Sequence, residues 1–129
     1  MAHSLPGLGE LETAVLELLW DECAGDDDLS VREVADRLPL AYTTVMTVLA
    51  HLYDKGAVTR EKVGRGYRYR PARSREDFGA DALGELLRSS GDAEKLLLHF
   101  VSREGGDLAP EEAGVLRRIT ARLRGGGDT

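Results

Sequence analysis

The chain has 129 residues, of which 17 are basic and 23 are acidic, so its formal net charge is −6. This length excludes a large multidomain enzyme, and this charge excludes a protein that is basic over its whole surface. Hydrophobic residues make up 42% of the chain and charged residues 31%, a composition that is typical of a folded globular domain and not of a disordered one.

Cysteine content and hydropathy narrow the class further. Cys23 is the only cysteine, so neither an internal disulfide nor a cysteine-based metal cluster can form. No apolar run approaches the roughly 20 residues of a membrane span, and Met1–Ser4 lack the basic and apolar regions that begin a signal peptide. We therefore expect a cytoplasmic protein without a metal or other cofactor.

Charge is distributed unevenly along the chain. The segment Lys55–Arg75 contains eight basic residues and one acidic residue, a net charge of +7, so the rest of the chain carries −13. A local basic patch is typical of a surface that binds a polyanion, even in an acidic protein. The alternative is a solvated pair of strands whose charges form salt bridges with one another.

Two helices are predicted in the first forty residues. The first extends from about Gly9 to Glu22, and Ser30–Glu33 forms a capping box that opens a second, short helix through Leu38. Pro39 ends this second helix, because the residue before a proline is disfavoured in the helical conformation. The predicted buried face of the first helix follows the helical repeat and consists of Leu11, Ala14, Val15, Leu18 and Leu19.

A third helix and a hairpin follow. The helix begins near Tyr42 and ends at Lys55–Gly56 with a basic last turn and a glycine. Two strands are predicted over residues 57–62 and 67–71, joined by a turn at Val63–Gly66. Three helices followed by a hairpin are typical of a winged helix-turn-helix.

A linker is predicted over residues 72–81, and three helices are predicted after it. The last of these helices starts at Pro110. We therefore predict a mainly α fold with a small β-hairpin wing: a DNA-binding domain over residues 1–75 and a helical dimerisation domain over residues 76–129. Short amphipathic helices bury little surface alone, so these are expected to pair with a second copy, or alternatively to pack onto the first domain. The predicted dimerisation residues are Leu83, Leu87, Leu97, Phe100, Val101, Leu116, Ile119 and Leu123.

The third helix and the hairpin carry the predicted DNA-binding residues. The second helix of a helix-turn-helix pair places its first residues in the major groove, and threonine can bond a phosphate or base edge and touch a thymine methyl. One of the threonines could instead cap the helix, His51 could be a solvated histidine, and the wing tyrosines could pack on the domain. The predicted residues are Tyr42, Thr43, Thr44, Thr47 and His51 on the helix, and Lys62, Arg65 and Tyr67 on the wing.

These motifs together resemble the BlaI/MecI family of transcriptional repressors, the penicillinase-repressor family. The resemblance covers nearly the whole chain, and the combination of motifs is specific although each one alone is not. The matching segments are Leu8–Glu12, Leu19–Trp20, Val31–Val34, Tyr42–Leu49, Leu52–Gly56, Lys62–Tyr69, Leu97–Val101 and Leu108–Glu112.

The resemblance implies a homodimeric repressor of dyad-symmetric promoter operators. In well-known members of the family, a membrane-bound sensor metalloprotease detects a β-lactam antibiotic, and the repressor is then cleaved in its dimerisation part. The cleaved Asn-Phe bond matches His99–Phe100, and the change of Asn to His leaves open whether this chain is cleaved. The copper-responsive branch carries a cysteine pair, whereas Cys23 stands alone, which argues against copper sensing and favours a small, partly buried residue.

The predicted function is thus sequence-specific DNA binding by a transcriptional repressor. The alternative is a winged-helix module that binds a protein and reads no DNA. An enzyme is not expected, because the three histidines, His3, His51 and His99, lie on different elements and no catalytic motif is visible.

Overall fold

The computed structural model describes residues 3–126, within which the chain forms six helices and three short strands. The predicted fold class, mainly α with a hairpin wing, is confirmed. The helices are α1 (Glu10–Glu22), α2 (Val31–Arg37), α3 (Tyr42–Asp54), α4 (Arg75–Ser89), α5 (Ala93–Gly105) and α6 (Pro110–Gly126), and the strands are β1 (Leu29–Ser30), β2 (Val58–Val63) and β3 (Gly66–Pro71).

The chain divides into two compact units, one ending at Phe78 and the other beginning at Gly79. The predicted domain boundary, after residue 75, lies a few residues before this division. The predicted linker over residues 72–81 is wrong in its second part, because α4 already begins at Arg75. Ser74 accounts for this start, since its hydroxyl accepts a hydrogen bond from the backbone N–H of Asp77 at 3.0 Å, in the first turn of the helix.

Helix α1 buries a different face from the one predicted. Val15, Leu16 and Leu19 are fully buried, whereas Leu11 is 44% exposed. Thr13 is also buried, because the segment before the helix folds over it and the backbone N–H of Leu5 donates to its hydroxyl at 2.8 Å. The predicted face was therefore rotated by a fraction of a turn, since a leucine-rich helix satisfies the helical repeat in more than one way.

The capping box of α2 is confirmed. The backbone N–H of Glu33 donates to the Ser30 hydroxyl at 3.1 Å, and the Ser30 backbone N–H donates to the Glu33 carboxylate at 2.9 Å. These two bonds satisfy donors that a helix start leaves unpaired, so α2 starts at a fixed point and leads by a short turn into α3.

Three antiparallel strands form one small sheet in the order β1, β3, β2. Strand β1 was missed at the sequence level, because two residues are too few to show an alternating pattern; Leu29 pairs with Tyr69. The turn between β2 and β3 has Gly64 as its first central residue, with a φ of +63°. Glycine adopts this conformation without strain, and the turn leaves Arg65 at the tip of the wing.

The first turn of α4 is docked on α1 within the first unit. The indole N–H of Trp20 donates to the backbone carbonyl of Arg73 at 2.9 Å, and the Phe78 ring stands edge-on to the indole at a centroid distance of 5.5 Å. The Arg75 guanidinium also lies over the Trp20 ring, at 5.0 Å from the ring centroid. The helix therefore starts within the first unit.

Candidate nucleic-acid interface

Helix α3 separates a buried face from an exposed one. Its core side is fully or nearly fully buried and consists of Val45, Val48, Leu49 and Leu52. On the opposite side Thr43, Met46 and Thr47 are exposed, and Thr44 is half-buried at the edge. The face of α3 that points away from the core therefore carries the threonines, as the helical repeat predicted.

The hydroxyls on this face are available for contacts outside the helix. The residue that caps α3 is Ala41, and no side chain bonds to the backbone there, so neither Thr43 nor Thr44 fills that role. The Thr47 hydroxyl donates to the Thr43 carbonyl at 3.1 Å, so this exposed hydroxyl can still accept a hydrogen bond from outside the helix.

Four of the predicted residues share one groove, of about 640 Å³, between α3 and the start of α1. They are Thr43, Thr44, Thr47 and His51. Tyr42 lies beyond the end of the groove, and Lys62, Arg65 and Tyr67 lie on the wing. The helix residues and the wing residues are thus two separate groups of side chains within one unit.

Many of the basic residues in the Lys55–Arg75 window are neutralised within the unit. The carboxylates involved lie on α1, on α2 and in the segment between them, outside the two strands that the alternative of a salt-bridged strand pair considered. Among residues 3–126, at least four of the eight form ion pairs: Lys55 with Glu12 at 2.9 Å, Arg68 with Asp28 at 2.6 Å and Glu33 at 2.8 Å, Arg70 with Asp26 at 3.5 Å, and Arg75 with Asp21 at 3.2 Å and Glu17 at 3.4 Å.

A smaller set of cations remains for an external anion. Among residues 3–126, Arg60, Lys62 and Arg65 have no carboxylate at ion-pairing distance, and neither does Arg32 on α2. Lys62 and Arg65 were predicted from the sequence, whereas Arg32 and Arg60 were not singled out. The basic surface is therefore narrower than the +7 window, and it combines the wing with one residue of the helix pair.

Both missed arginines stack on tyrosine rings. The Arg32 guanidinium lies 5.2 Å from the ring centroid of Tyr42, and Arg60 lies 3.9 Å from that of Tyr53 and 4.2 Å from that of Tyr67. Strand alternation could have indicated Arg60, since it shares a face of β2 with Lys62. Its contact with Tyr53 joins α3 to β2 and has no signal in the sequence.

The two wing tyrosines differ in environment. Tyr69 is 3% exposed and belongs to the core, as the alternative of packing on the domain expected, whereas Tyr67 is 37% exposed. Arg68 and Arg70 lie on the other face of β3, where they meet Asp28 and Asp26. The predicted alternation of tyrosines and arginines is therefore confirmed, and it directs Arg68 away from the free cations.

Cys23 is half-buried, and burial raises the pKa of its thiol, with the negative charges of Asp28 and Asp27 acting in the same direction. A raised pKa lowers the thiolate fraction and hence the reactivity. Within residues 3–126 there is no group of three histidine, cysteine or acidic side chains that could hold a metal ion. Over the same residues, every helix is too short or too polar to cross a membrane.

The second unit exposes much of its apolar surface. Leu83, Phe100 and Ile119 are exposed, and Phe100 reaches 58%. Of the other predicted dimerisation residues, Leu97, Val101, Leu116 and Leu123 are half-buried, whereas Leu87 is only 5% exposed in the single chain. His99, next to Phe100 on α5, is exposed.

A family model described as "Penicillinase repressor" matches residues 8–122. The chain belongs to the penicillinase repressor family. This confirms the resemblance noted in the sequence, and it places the chain among transcriptional regulators and not among enzymes.

Curated members of the penicillinase repressor family align over most of the chain. "Transcriptional regulator BlaI" from two strains of Mycobacterium tuberculosis is 40% identical over 126 residues, which cover 95% of this chain and 88% of the relative. "Penicillinase repressor" from Bacillus licheniformis is 24% identical over 117 residues, covering 89% and 90%.

Two solved structures are also similar. One is a MarR family protein from Bacillus stearothermophilus, with a TM-score of 0.48 and 19% identity, covering 95% of this chain and 77% of that one. The other is a transcriptional regulator, with a TM-score of 0.43 and 23% identity, covering 91% and 77%.

Proposed function

We propose that this protein is a transcriptional repressor that binds a dyad-symmetric operator as a homodimer. The observation that carries the proposal is an exposed threonine face on α3 in the same unit as Lys62 and Arg65, two wing cations with no carboxylate partner among residues 3–126. A helix that presents short polar side chains beside a basic hairpin has the shape and charge of a winged-helix DNA reader.

The two groups of side chains take different tasks in this proposal. Thr43, Thr44 and Thr47 enter the major groove, where their hydroxyls bond base edges and their methyl groups contact thymine. His51, one turn further along α3, meets a phosphate. Arg65, at the tip of the wing, reaches a phosphate or the minor groove, and Lys62 follows the backbone beside it.

Dimerisation uses the exposed apolar side chains of the second unit. Leu83, Phe100 and Ile119 are large and exposed in the single chain, and a second copy related by a two-fold axis would cover them. Two copies then present two reading helices to the two half-sites of a palindrome.

Derepression by proteolysis is the regulatory route that we propose. Relatives are named for penicillinase repression, and a membrane-bound sensor metalloprotease that responds to cell-wall antibiotic would be the partner. His99 and Phe100 are exposed on α5, so a cut between them would divide the dimerisation helices. Treating cells with a β-lactam and blotting for a fragment that ends at His99 tests this route, and an intact repressor in induced cells would exclude it.

Binding to DNA from the protein's own upstream region tests the proposed function directly. We expect tighter binding to this duplex than to a shuffled duplex of equal length, and affinity that falls as salt rises, because phosphate contacts release counterions. Arg65→Gln should weaken binding to both duplexes, whereas Arg70→Gln, which removes an equal charge already paired with Asp26, should not. Equal affinity for the two duplexes at physiological salt would overturn the proposal and favour a module that binds protein.

A further inference from the structure

Arg60 is enclosed between two aromatic rings where α3 meets the wing. Its guanidinium carbon lies 3.9 Å from the ring centroid of Tyr53, in the last turn of α3, and 4.2 Å from that of Tyr67, on β3. Both distances are well inside the roughly 6 Å range of a cation–π contact. Tyr67 is in turn 6.3 Å from Tyr69, which lies opposite Arg60 in the β2–β3 ladder and belongs to the core.

Both rings lie close to the guanidinium carbon, and a side-chain hydrogen bond links Arg60 to Tyr69. A guanidinium carries five N–H donors, so a bond to one tyrosine hydroxyl leaves others for an anion. Among residues 3–126, no carboxylate approaches Arg60 at ion-pairing distance, whereas on the neighbouring strand Arg68 has two such partners and Arg70 has one. Arg60 is thus a fixed cation whose donors lack an anionic partner.

The position of Arg60 selects the kind of anion. It lies between the exposed face of α3 and the unpaired wing residue Lys62, two positions further along β2. Lys62 lies directly opposite Tyr67, so the same ring that covers Arg60 is flanked by a second cation. An extended polyanion that contacts both α3 and the wing would pass this point.

We propose that the Tyr53–Arg60–Tyr67 stack is a pre-organised phosphate-binding site that joins the recognition helix to the wing. The tyrosines fix the arginine before DNA arrives, so less side-chain freedom is lost on binding. Because the stack includes one residue of α3 and two of the hairpin, it also fixes the direction of the wing relative to α3. This inference rests on the proposed DNA binding, and it adds a phosphate contact and two positioning residues to it.

The salt dependence of DNA affinity separates a phosphate contact from a structural role. Each phosphate neutralised contributes about 0.9 to the slope of log affinity against log salt. We expect Arg60→Gln to weaken binding about tenfold per half-site and to lower the slope by about 0.9 per protomer, on the upstream duplex and on a shuffled duplex alike. Arg70→Gln is the matched control, since it removes the same charge from the other face of the wing, and its slope should equal that of the wild type.

The tyrosines are tested by removing a ring while keeping the charge. Tyr53→Leu should weaken binding about twofold to fivefold with an unchanged slope, and Tyr53→Phe, which keeps the ring, should bind as the wild type does. Arg60→Lys should likewise keep the slope and lose affinity, because an ammonium cannot stack between two rings. Thermal unfolding identifies any variant that fails to fold. If Arg60→Gln fails, Arg60→Met, which removes the same charge and keeps a long side chain beside the rings, replaces it in the slope measurement.

Two results would overturn this inference alone. One is an Arg60→Gln variant that keeps wild-type affinity and slope. The other is an Arg60→Gln variant that loses affinity while its slope stays equal to that of Arg70→Gln, which would assign Arg60 a purely structural role. A wild-type protein that binds neither duplex would instead overturn the proposed function together with this site.

Discussion

The Arg68 guanidinium bonds to both the side chain and the backbone of Asp28. The Arg68 Nε donates to the Asp28 Oδ1 at 2.6 Å, and the Arg68 Nη2 donates to the Asp28 carbonyl at 3.2 Å. These hydrogen bonds connect β3 to the segment that leads into β1. Arg68 also donates to Glu33, which belongs to the capping box of α2. An arginine that looks like part of a DNA-binding wing in the sequence therefore stabilises the fold of the unit.

We expect Arg68→Met to lower the free energy of unfolding by about 1–2 kcal/mol, because hydrogen bonds to charged groups on half-exposed side chains are lost. Urea denaturation measures this change. Arg70→Met is the control, since its pair with Asp26 spans 3.5 Å between exposed side chains and should contribute less than about 0.5 kcal/mol. Equal losses for the two variants would show that the hydrogen bonds to Asp28 have no special role.

Thr47→Val should change sequence preference more than overall affinity. The substitution keeps the shape of the side chain and removes a hydroxyl, so it should cost about 1 kcal/mol at the base pair that the hydroxyl contacts and little at others. Binding to a set of single-base-pair variants of the footprinted operator measures this pattern. A uniform loss over all variants, as expected for Arg65→Gln, would indicate that Thr47 contacts the backbone instead.

Phe100→Glu should convert the proposed dimer to a monomer. In each copy the interface would lose a buried Phe100 ring and would have to desolvate the carboxylate of the new glutamate. The dimer dissociation constant should therefore rise at least about a hundredfold. Sedimentation equilibrium measures the change, and operator affinity should fall with it. Ser102→Glu, an exposed position on the same helix, should leave the dimer intact, and a dimer that persists in the Phe100 variant would place the interface elsewhere.

Acid should destabilise the first unit through Glu33. The Ser30 backbone N–H, followed by the Ser30 hydroxyl contact and Arg68, holds the pKa of the Glu33 carboxyl below its ordinary value in the folded chain. The unfolded chain therefore binds the proton more readily, so the stabilisation is complete above the ordinary pKa and is lost as pH falls through the lowered one. We expect Glu33→Gln to cost about 1 kcal/mol at neutral pH and almost nothing once the pH has fallen below the lowered pKa of this carboxyl.

Urea unfolding of this variant over a pH series measures that difference. Glu61→Gln, at an exposed position on β2, serves as the control and should follow the wild type at every pH. A Glu33 variant whose deficit is the same at all pH values would show that the carboxylate charge contributes nothing.

Cys23 should react slowly with thiol reagents. Burial and the nearby aspartates raise the pKa of its thiol, so the thiolate fraction at neutral pH is smaller than that of an unstructured cysteine. Alkylation by iodoacetamide, followed by mass spectrometry, should be severalfold slower in the folded protein than in urea. A faster reaction in the folded state would identify Cys23 as an activated thiol and would favour a redox role for it.

The elements that the sequence predicted best are those fixed by local chemistry. The capping box at Ser30 and the glycine turn at Gly64 each bring their own hydrogen bonds or backbone conformation, and both occur where expected. The face of α1 and the two-residue strand β1 were missed, because packing of distant segments decides them. The start of α4 was also missed, although its signal is local, since it depends on one hydrogen bond to the Ser74 hydroxyl.

In the candidate nucleic-acid interface, too, some features follow from local sequence and others depend on contacts between distant segments. The threonine face of α3 follows from the helical repeat alone. Which cations remain unpaired does not, because Lys55 meets Glu12 and Arg68 meets Asp28 across 43 and 40 positions of sequence. A charge count along the chain measures where cations are concentrated, and only the tertiary contacts determine which of them can meet a phosphate.

Trp20 gives the protein a built-in optical probe. It is the only tryptophan in the chain, and its indole is bonded to the Arg73 carbonyl and faces Phe78, where the first unit ends. Its emission wavelength and quenching by iodide therefore report whether the first turn of α4 stays docked on α1. Added DNA, a second copy of the chain or a protease can each be followed through this one fluorophore without a label, and an event that loosens the junction will appear as a shift to the red.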